Sequence, residues 1–253
     1  MNYIGLFTFI SEEVGRTKRI WIQTLITPVL SALLYIFIFG QVVGQRIGEI
    51  AGVTYIDFVI PGLLMMNLMM SAFGQAAFSL YFQRFARHIE EVLTAPLSYM
   101  EIVIGFVVSS IVRGLLVGAG IYLVALLFTV TTIDHIFLFL FYSISVALIF
   151  SLIGLLVGLW AESFEQLNIP QTFLIMPLTF LGGLFNSIHM LPEKFQWFVR
   201  INPFFYFVDG LRYSMIGVSE SNWIGGLVLI FGLIAGLGGW VWYLFKSGYK
   251  LRN

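Results

Sequence analysis

Six long apolar runs dominate this sequence, and each is long enough to cross a lipid bilayer. A helix needs about 20 consecutive, mostly apolar residues to span the hydrocarbon core. The runs cover residues 20–40, 58–80, 102–130, 136–160, 169–187 and 223–245. They lack the strict alternation that a membrane barrel requires, so each run predicts a helix. The expected fold class is therefore all-α: a polytopic membrane protein with six transmembrane helices in a single domain, 1–253.

The composition excludes a water-soluble fold. Only 10% of the 253 residues are charged and 59% are hydrophobic, whereas ordinary soluble domains are roughly 25% charged. So few charges cannot cover the outside of a soluble protein, which makes membrane lipid the expected surroundings. The formal net charge is zero, so no overall field attracts nucleic acid, and we expect no nucleic-acid partner. The absence of cysteine excludes disulfides and thiolate metal sites.

The positive charges between the runs predict an orientation. An even number of spans places both termini on one side, and Lys and Arg collect on the cytoplasmic side. One side would hold Arg16, Lys18, Arg19, Arg84, Arg87, Lys246, Lys250 and Arg252, and the other Arg46, Lys194, Arg200 and Arg212. We therefore expect a multi-pass membrane protein with both termini cytoplasmic.

The segment before the first run has helical spacing. Its apolar positions are Tyr3, Phe7, Ile10 and Val14, which recur every three or four residues. Glu12 and Arg16 lie one turn apart and can pair. Residues 1–19 are predicted to form a helix on the cytoplasmic membrane surface; the alternative is an extension of the first span.

A second amphipathic helix is predicted at 81–97, between the second and third runs. Its apolar positions are Phe82, Phe85, Ile89 and Leu93, and its polar positions are Arg84, Arg87, His88, Glu90 and Glu91. Pro96 ends it, because proline lacks an amide donor and restricts the preceding residue. An isolated charge cluster is ordinarily a solvated linker, but this density of charge indicates docking of a partner protein.

Residues 188–222 are too apolar for a loop in water. Prolines and Gly210 divide this aromatic-rich stretch into short pieces, which predicts two brief helices that enter the outer leaflet and return. Irregular backbone at that depth must be covered by protein or line a cavity. An interfacial aromatic belt is the alternative. Asp209 and Arg212 lie three residues apart and can pair on a helix.

One group of motifs, with the order of these segments, carries a family resemblance. The motifs are Gly182-Gly183, Leu191-Pro192, Asn202-Pro203-Phe204-Phe205-Tyr206 and Gly210-Leu211-Arg212. With them, nearly the whole chain resembles the permease subunits of ATP-binding-cassette exporters of the second type. It is most similar to the small permeases of drug, nodulation-factor and polysaccharide exporters, and residues 90–96 are similar to the end of the family's coupling helix.

The resemblance implies two copies of this chain joined to two copies of a separate ATPase. ATP and Mg²⁺ would bind to that partner, and no cofactor to this chain. The sequence agrees, because a phosphate-binding loop needs Gly-Lys-Ser or Gly-Lys-Thr and none of the four lysines follows a glycine. The residues expected to couple the permease to the ATPase are Phe85, Arg87, His88, Ile89, Glu90, Glu91, Leu93 and Pro96.

Polar and methionine side chains are the candidates for a translocation path and its gate. They are Gln23, Tyr35, Met66, Asn67, Met70, Gln171, Pro203, Phe204, Tyr206, Asp209 and Arg212. Amides facing lipid would lack partners, so the amides of Gln23, Asn67, Gln75 and Gln171 are expected to face a cavity or the dimer interface. Methionines suit an adaptable apolar path. The expected reaction is ATP-driven export of a hydrophobic or amphipathic substrate, such as a drug-like molecule or a lipid-linked glycan.

An ion-coupled secondary transporter or a channel working without an ATPase remains the alternative. Such carriers normally need an ionisable group deep in a span, and the runs contain no carboxylate near a midpoint. Arg113 lies well inside the third run and can either snorkel toward the cytoplasm or contact substrate. The three histidines fall on opposite sides of the membrane, so we expect neither a metal site nor an enzyme.

Glycines and prolines inside the runs have ordinary structural explanations. The pairs Gly114/Gly118, Gly154/Gly158 and Gly232/Gly236 have the spacing of close helix packing. Pro28, Pro61, Pro170 and Pro177 can bend their helices, either as hinges or as static kinks.

Overall fold

The computed structural model describes residues 2–130 and 132–251, apart from the side chains of Gln41 and Trp223. Its α-helices are α1 (Tyr3–Arg19), α2 (Thr27–Phe37), α3 (Gly44–Ile47), α4 (Tyr55–Phe85), α5 (Ile89–Thr94), α6 (Tyr99–Ala125), α7 (Ile136–Trp160), α8 (Phe164–Pro170), α9 (Met176–Leu181), α10 (Glu193–Ile201), α11 (Pro203–Ile216) and α12 (Trp223–Ser247). Two short strands, β1 (Glu49–Ile50) and β2 (Val53–Thr54), pair antiparallel. The all-α prediction is confirmed.

Five of the described helices are long and apolar enough to cross a membrane. They are Ile22–Ile47, Tyr55–Phe85, Tyr99–Ala125, Ile136–Trp160 and Ile224–Ser247. In the most apolar stretch of α4, 83% of the residues are buried, against 12% in the first helix and 17% in the last. The protein is therefore a polytopic membrane protein in which α4 forms the centre of the bundle.

The fifth apolar run, 169–187, forms a shorter and less regular helical path. It consists of α8, a π-helical turn at Gln171–Ile175 and α9. This path runs antiparallel to α4, since Phe164 packs on Tyr81 and Leu184 lies against Gly62 at the other end. It thus follows the length of the bundle, while the number of six spans stays a prediction.

Wide π-helical turns occur in the first and fifth helical paths. Ile22–Ile26 forms one immediately before α2, which has Pro28 in its first turn, and Gln171–Ile175 forms another directly after Pro170. Proline removes a backbone donor and clashes with the preceding turn, which can widen a helix locally. Pro61, by contrast, lies inside a continuous α4.

Glycines let α6 and α7 approach α4 closely. A Cβ atom at Gly154 would lie 2.5 Å from the Phe73 carbonyl oxygen, and one at Gly158 would lie 2.9 Å from that of Ala77. Gly114 similarly faces Leu68. At Gly232 and Gly236, no described atom beyond the adjacent residues and the nearby backbone of the same helix would lie within 4 Å of such a Cβ. Two of the three predicted glycine pairs therefore pack against α4, and the third does not.

The helices end at two opposite faces of the bundle. At one, which we call the α5 end, α4, α7 and α12 stop and α6 begins. Arg84 near the end of α4 donates to the carbonyl oxygens of Gly158 and Lys250, at 2.7 Å each. At the other, the α11 end, α11 packs on the first turn of α4. Both Asn2 and Leu251 lie at the α5 end. Asn2 contacts Pro96, and Lys250, the residue before Leu251, contacts Trp160.

Candidate functional site

A left-handed residue separates α5 from α4. Arg87 has a φ of 60°, a conformation that costs a non-glycine residue on the order of 1–3 kcal/mol. The prediction of one amphipathic helix at 81–97 is therefore wrong. Phe82 and Phe85 lie on α4, whereas Ile89 and Leu93 lie on α5. The sharp turn redirects the chain so that α5 forms a separate, short helix.

Apolar side chains seat α5 on the bundle. Ile89 is buried in a cluster with Phe9 of α1 and Ile102 of α6, and Leu93 and Leu97 pack against it. Pro96 follows α5 and is exposed. Phe85 is 66% exposed and lies edge-on to Phe164, at 5.3 Å between ring centroids.

The charged side chains around α5 point away from the bundle. Arg87, His88, Glu90 and Glu91 are all exposed. Among the described residues, these four side chains make no hydrogen bond or ion pair. Glu90 and Glu91 lie in the first turn of α5, where the helix dipole favours acidic residues. The result is a compact surface with charges of both signs.

Two anchors hold the chain on either side of α5. Before it, the Arg84 guanidinium donates to the Gly158 and Leu159 carbonyl oxygens at the end of α7, where a cation also complements the helix dipole, and to the Lys250 carbonyl oxygen in the turn after α12. After it, Ser98 and Glu101 form a capping box at the start of α6. The Glu101 carboxylate also accepts a hydrogen bond from the backbone N–H of Asn2, at 2.5 Å.

The N-terminal helix, α1, packs through a different face from the predicted stripe. Its buried residues are Leu6, Phe9, Glu13 and Thr17. Tyr3 and Phe7, which belong to the predicted stripe, are 72% and 73% exposed. The prediction that Glu12 pairs with Arg16 is wrong, because Arg16 pairs with Glu13 at 2.6 Å. The helix thus has one face on the protein and a second, apolar face directed away from it.

A buried polar cluster joins α1 to α4 and α6. The Glu13 carboxylate accepts from the Ser79 hydroxyl and from Gln83 Nε2 at 2.6 Å. Burial raises the pKa of Glu13, and the bonds from Ser79, Arg16 and Gln83 offset part of that effect. Next to it, Gln75 Oε1 accepts from Thr17 at 3.3 Å.

Arg113 belongs to the same cluster. Its Nη1 donates to Gln75 Oε1 at 2.9 Å. The guanidinium therefore lies against α4, in the half of the bundle nearest α1, and bonds to a fixed protein partner.

At the α11 end, two charged residues are completely buried. Arg212 and Asp209 are 0% exposed and approach to 3.9 Å, as their spacing predicts. Arg212 also donates to the Phe58 and Gly183 carbonyl oxygens, at 3.2 and 2.5 Å, and its guanidinium stacks 3.7 Å from the Phe58 ring centroid. It therefore ties α11 to the start of α4 and to the turn after α9.

Asp209 holds the segment between α11 and α12. Its carboxylate accepts from the Ser219 hydroxyl and from the amides of Glu220 and Ser221, at 2.9 Å each. Glu220 in turn accepts from Ser187 and the Ile188 amide. Both charges thus stabilise a cap, formed by α10 and α11, over this end of the bundle.

The remaining path candidates are distributed along the bundle. Gln23 is exposed; Met66, Asn67 and Phe204 are buried; Tyr35, Met70, Gln171, Pro203 and Tyr206 are half-buried. Tyr35 and Phe39 pack near Phe185, whereas Gln171 faces Gly74 in the middle of α4. The Tyr206 hydroxyl donates to the Arg200 carbonyl. These side chains do not converge on one site within the described chain.

Sequence reasoning missed the face of α4 that receives α1. Ser71, Gln75, Ser79 and Gln83 recur every four residues, and all are buried. Such a polar stripe within an apolar run is a signal for a polar partner helix. No comparable pattern distinguishes Glu13, because the adjacent Glu12 is equally acidic.

Comparison with known proteins agrees with this architecture. The model of the ABC-2 type transporter family matches residues 5–216. The inner membrane transport permease YadH of Escherichia coli strain K12 is 34% identical over 254 residues, covering 100% of this chain and 99% of that protein. Nodulation protein J of Rhizobium meliloti strain 1021 is 27% identical over 205 residues, 79% of this chain and 77% of that protein. The chain belongs to the ABC-2 type transporter family.

Proposed function

We propose that this chain is the permease subunit of an ATP-driven exporter and that α5 is its coupling helix. The observation that carries the proposal is a set of four exposed side chains without a hydrogen bond or ion pair among the described residues: Arg87 and His88 in the turn before α5, and Glu90 and Glu91 on α5. The chain is anchored on both sides of this segment. A charged surface fixed on a rigid base can receive a protein partner and pass its movement to the spans.

The partner is a separate ATPase subunit, two copies of which join two copies of this chain. Members of this family normally work with such a subunit. ATP and Mg²⁺ bind to the ATPase, and this chain supplies contacts through Arg87, Glu90 and Glu91. Ile89 and Leu93 seat α5 on α1 and α6, so movement of the docked ATPase shifts α5 together with the helix ends around it.

The α5 end faces the cytoplasm, where ATP is available, and both termini lie there with it. The name of the relative from Escherichia coli supports an inner membrane location. The apolar side chains of Tyr3, Ile4 and Phe7 are directed away from the bundle, and lie in the membrane surface with Lys18 and Arg19 near anionic headgroups.

Spans one, two and five form the path between the two copies. The π-helical turns that contain Gln23 and Gln171 allow the first and fifth helical paths to bend against the regular α4. The cap formed by α10 and α11 closes the translocation path on the outside. The cargo is hydrophobic or amphipathic, a drug-like molecule or a lipid-linked glycan.

A reconstituted complex tests the proposal. Purified permease and ATPase are placed in liposomes, and ATP hydrolysis and movement of a fluorescent amphipathic dye are measured with Mg-ATP. We expect hydrolysis to exceed that of the ATPase alone and dye movement to require nucleotide. Dye flux driven by a proton or sodium gradient without nucleotide would instead establish the ion-coupled carrier or channel.

A further inference from the structure

The helix α1 contacts both spans that flank α5. At its start, Asn2 bonds to Glu101 of α6 and, through Nδ2, to the Pro96 carbonyl at 3.3 Å. In its middle, Phe9 packs edge-on against Phe106 at 5.1 Å, in space left by the missing side chain of Gly105. The first half of α1 therefore rests on α6 and on the segment that leaves α5.

The second half of α1 rests on α4 through polar contacts. Glu13 is 0% exposed and accepts from Ser79 and Gln83 of α4. Four residues later, Thr17 donates to Gln75 on the same face of α4. With α5, these contacts close a ring of elements: α4, α5, α6 and α1.

This ring leads directly into the first span. The α1 helix ends at Arg19, and the π-helical turn Ile22–Ile26 begins three residues later. The first span itself is the least enclosed of the candidate spans, with 12% of its most apolar stretch buried. A movement of α4 and α5 therefore has a continuous route to the first span through α1.

We propose that Glu13 is a positioning residue that fastens α1 to α4, so that movement at α5 reaches the first span. The proposal rests on the proposed function, because it needs an ATPase that moves α5. Glu13 is the suitable residue because a buried carboxylate requires donors, and two of its three donors, Ser79 and Gln83, come from α4, while the third, Arg16, lies on α1 itself. The buried residues in the second half of α1, Glu13 and Thr17, are both polar, so polar rather than apolar contacts hold this half of the helix in place.

Glu13→Gln and Glu12→Gln form a matched pair of variants. Glu12 is exposed on the same helix and outside the cluster. The chain has no cysteine, so one introduced cysteine per copy can carry a spin label without further changes. Thr94→Cys reports on α5 and Phe37→Cys on the first span, since both positions are exposed.

The measurement is the distance between labels in the two copies of the assembled complex, with and without Mg-ATP and vanadate. We expect nucleotide to change both distances in the otherwise native chain and in Glu12→Gln. In Glu13→Gln the change at position 94 should remain while the change at position 37 falls by about half or more. ATP-dependent dye movement should fall about tenfold, the effect of losing a hydrogen-bonded charge contact.

A second variant separates this role from damage to the fold. Ser79→Ala removes a donor to Glu13 from the α4 side, and the double variant Glu13→Gln/Ser79→Ala should be no worse than Glu13→Gln alone. Additive losses, or a full distance change at position 37 in Glu13→Gln, would overturn the role of Glu13. Failure of the native chain to bind an ATPase would instead overturn the proposed function.

Discussion

The acidic and basic side chains described at the two ends of the bundle differ in burial and in pairing. At the α11 end, Asp209 and Arg212 are completely buried, and the chain itself supplies their partners. At the α5 end, Glu90 and Glu91 are exposed and make no ion pair within the described residues. Burying a charge is costly unless it is paired and hydrogen-bonded. The α11 end is therefore a self-contained structural cap, whereas α5 presents charges without partners in the described chain, as the proposed docking of an ATPase requires.

Removal of the buried arginine should have the largest effect on stability. Arg212→Ala leaves Asp209 without its cation and removes the bonds to Phe58 and Gly183. We expect the free energy of unfolding to fall by about 3–5 kcal/mol, which would give a sharply lower yield and a lower thermal midpoint in detergent. Arg200→Ala, an exposed residue at the same end, is the control and should unfold like the native chain. Equal stability of the two variants would contradict the described cap.

The charged surface of α5 should show the opposite combination of effects. Glu90→Ala/Glu91→Ala should change the free energy of unfolding by no more than about 0.5 kcal/mol, as for other exposed positions, so the thermal midpoint stays close to the native value. The double variant should uncouple ATP hydrolysis from transport in liposomes. Glu193→Ala/Lys194→Ala changes two exposed residues at the α11 end and should leave coupling intact. Unaltered coupling in the α5 variant would remove the assignment of this helix.

The second charge of the cap permits a finer test. Asp209→Asn keeps the shape of the side chain, but its amide group faces donors from Ser219, Glu220 and Ser221. We expect a loss of about 1–3 kcal/mol in the free energy of unfolding, measured by thermal unfolding. Asp134→Asn, an exposed aspartate at this end, should change it by less. If Asp209→Asn were neutral, the contacts to 219–221 would not hold the cap.

The smallest expected effects distinguish the centre of the bundle from its edge. Gly158→Ala places a methyl group 2.9 Å from the Ala77 carbonyl oxygen, and should cost about 1–3 kcal/mol through overpacking. The methyl group of Gly236→Ala meets no described atom within 4 Å beyond the adjacent residues and the nearby backbone of its own helix. This variant should be neutral or stabilise by up to about 1 kcal/mol, since alanine favours helix. Thermal unfolding of both variants checks the opposite signs.

Sequence reasoning succeeded where an element is encoded locally. The apolar runs, the stop at Pro96 and the spacing of Asp209 and Arg212 each predict a feature that the structure contains. The helical period and the properties of proline are sufficient for such predictions.

It failed where the partner is distant in the chain. The Phe58 and Gly183 contacts of Arg212 join residues 154 and 29 positions apart. The choice of Glu13 over Glu12 depends on the α4 face formed by Ser79 and Gln83. Local spacing also does not predict the left-handed conformation of Arg87, which divides the predicted amphipathic helix. That turn depends on the packing around it.

Isolation of the complex tests the central claim most directly. The chain is extracted from its native membrane in mild detergent, and the proteins that purify with it are identified and quantified. We predict an ATPase subunit in a one-to-one ratio with the native chain, and its loss with Glu90→Ala/Glu91→Ala. An oligomer of this chain alone, active in transport without an ATPase, would contradict the account.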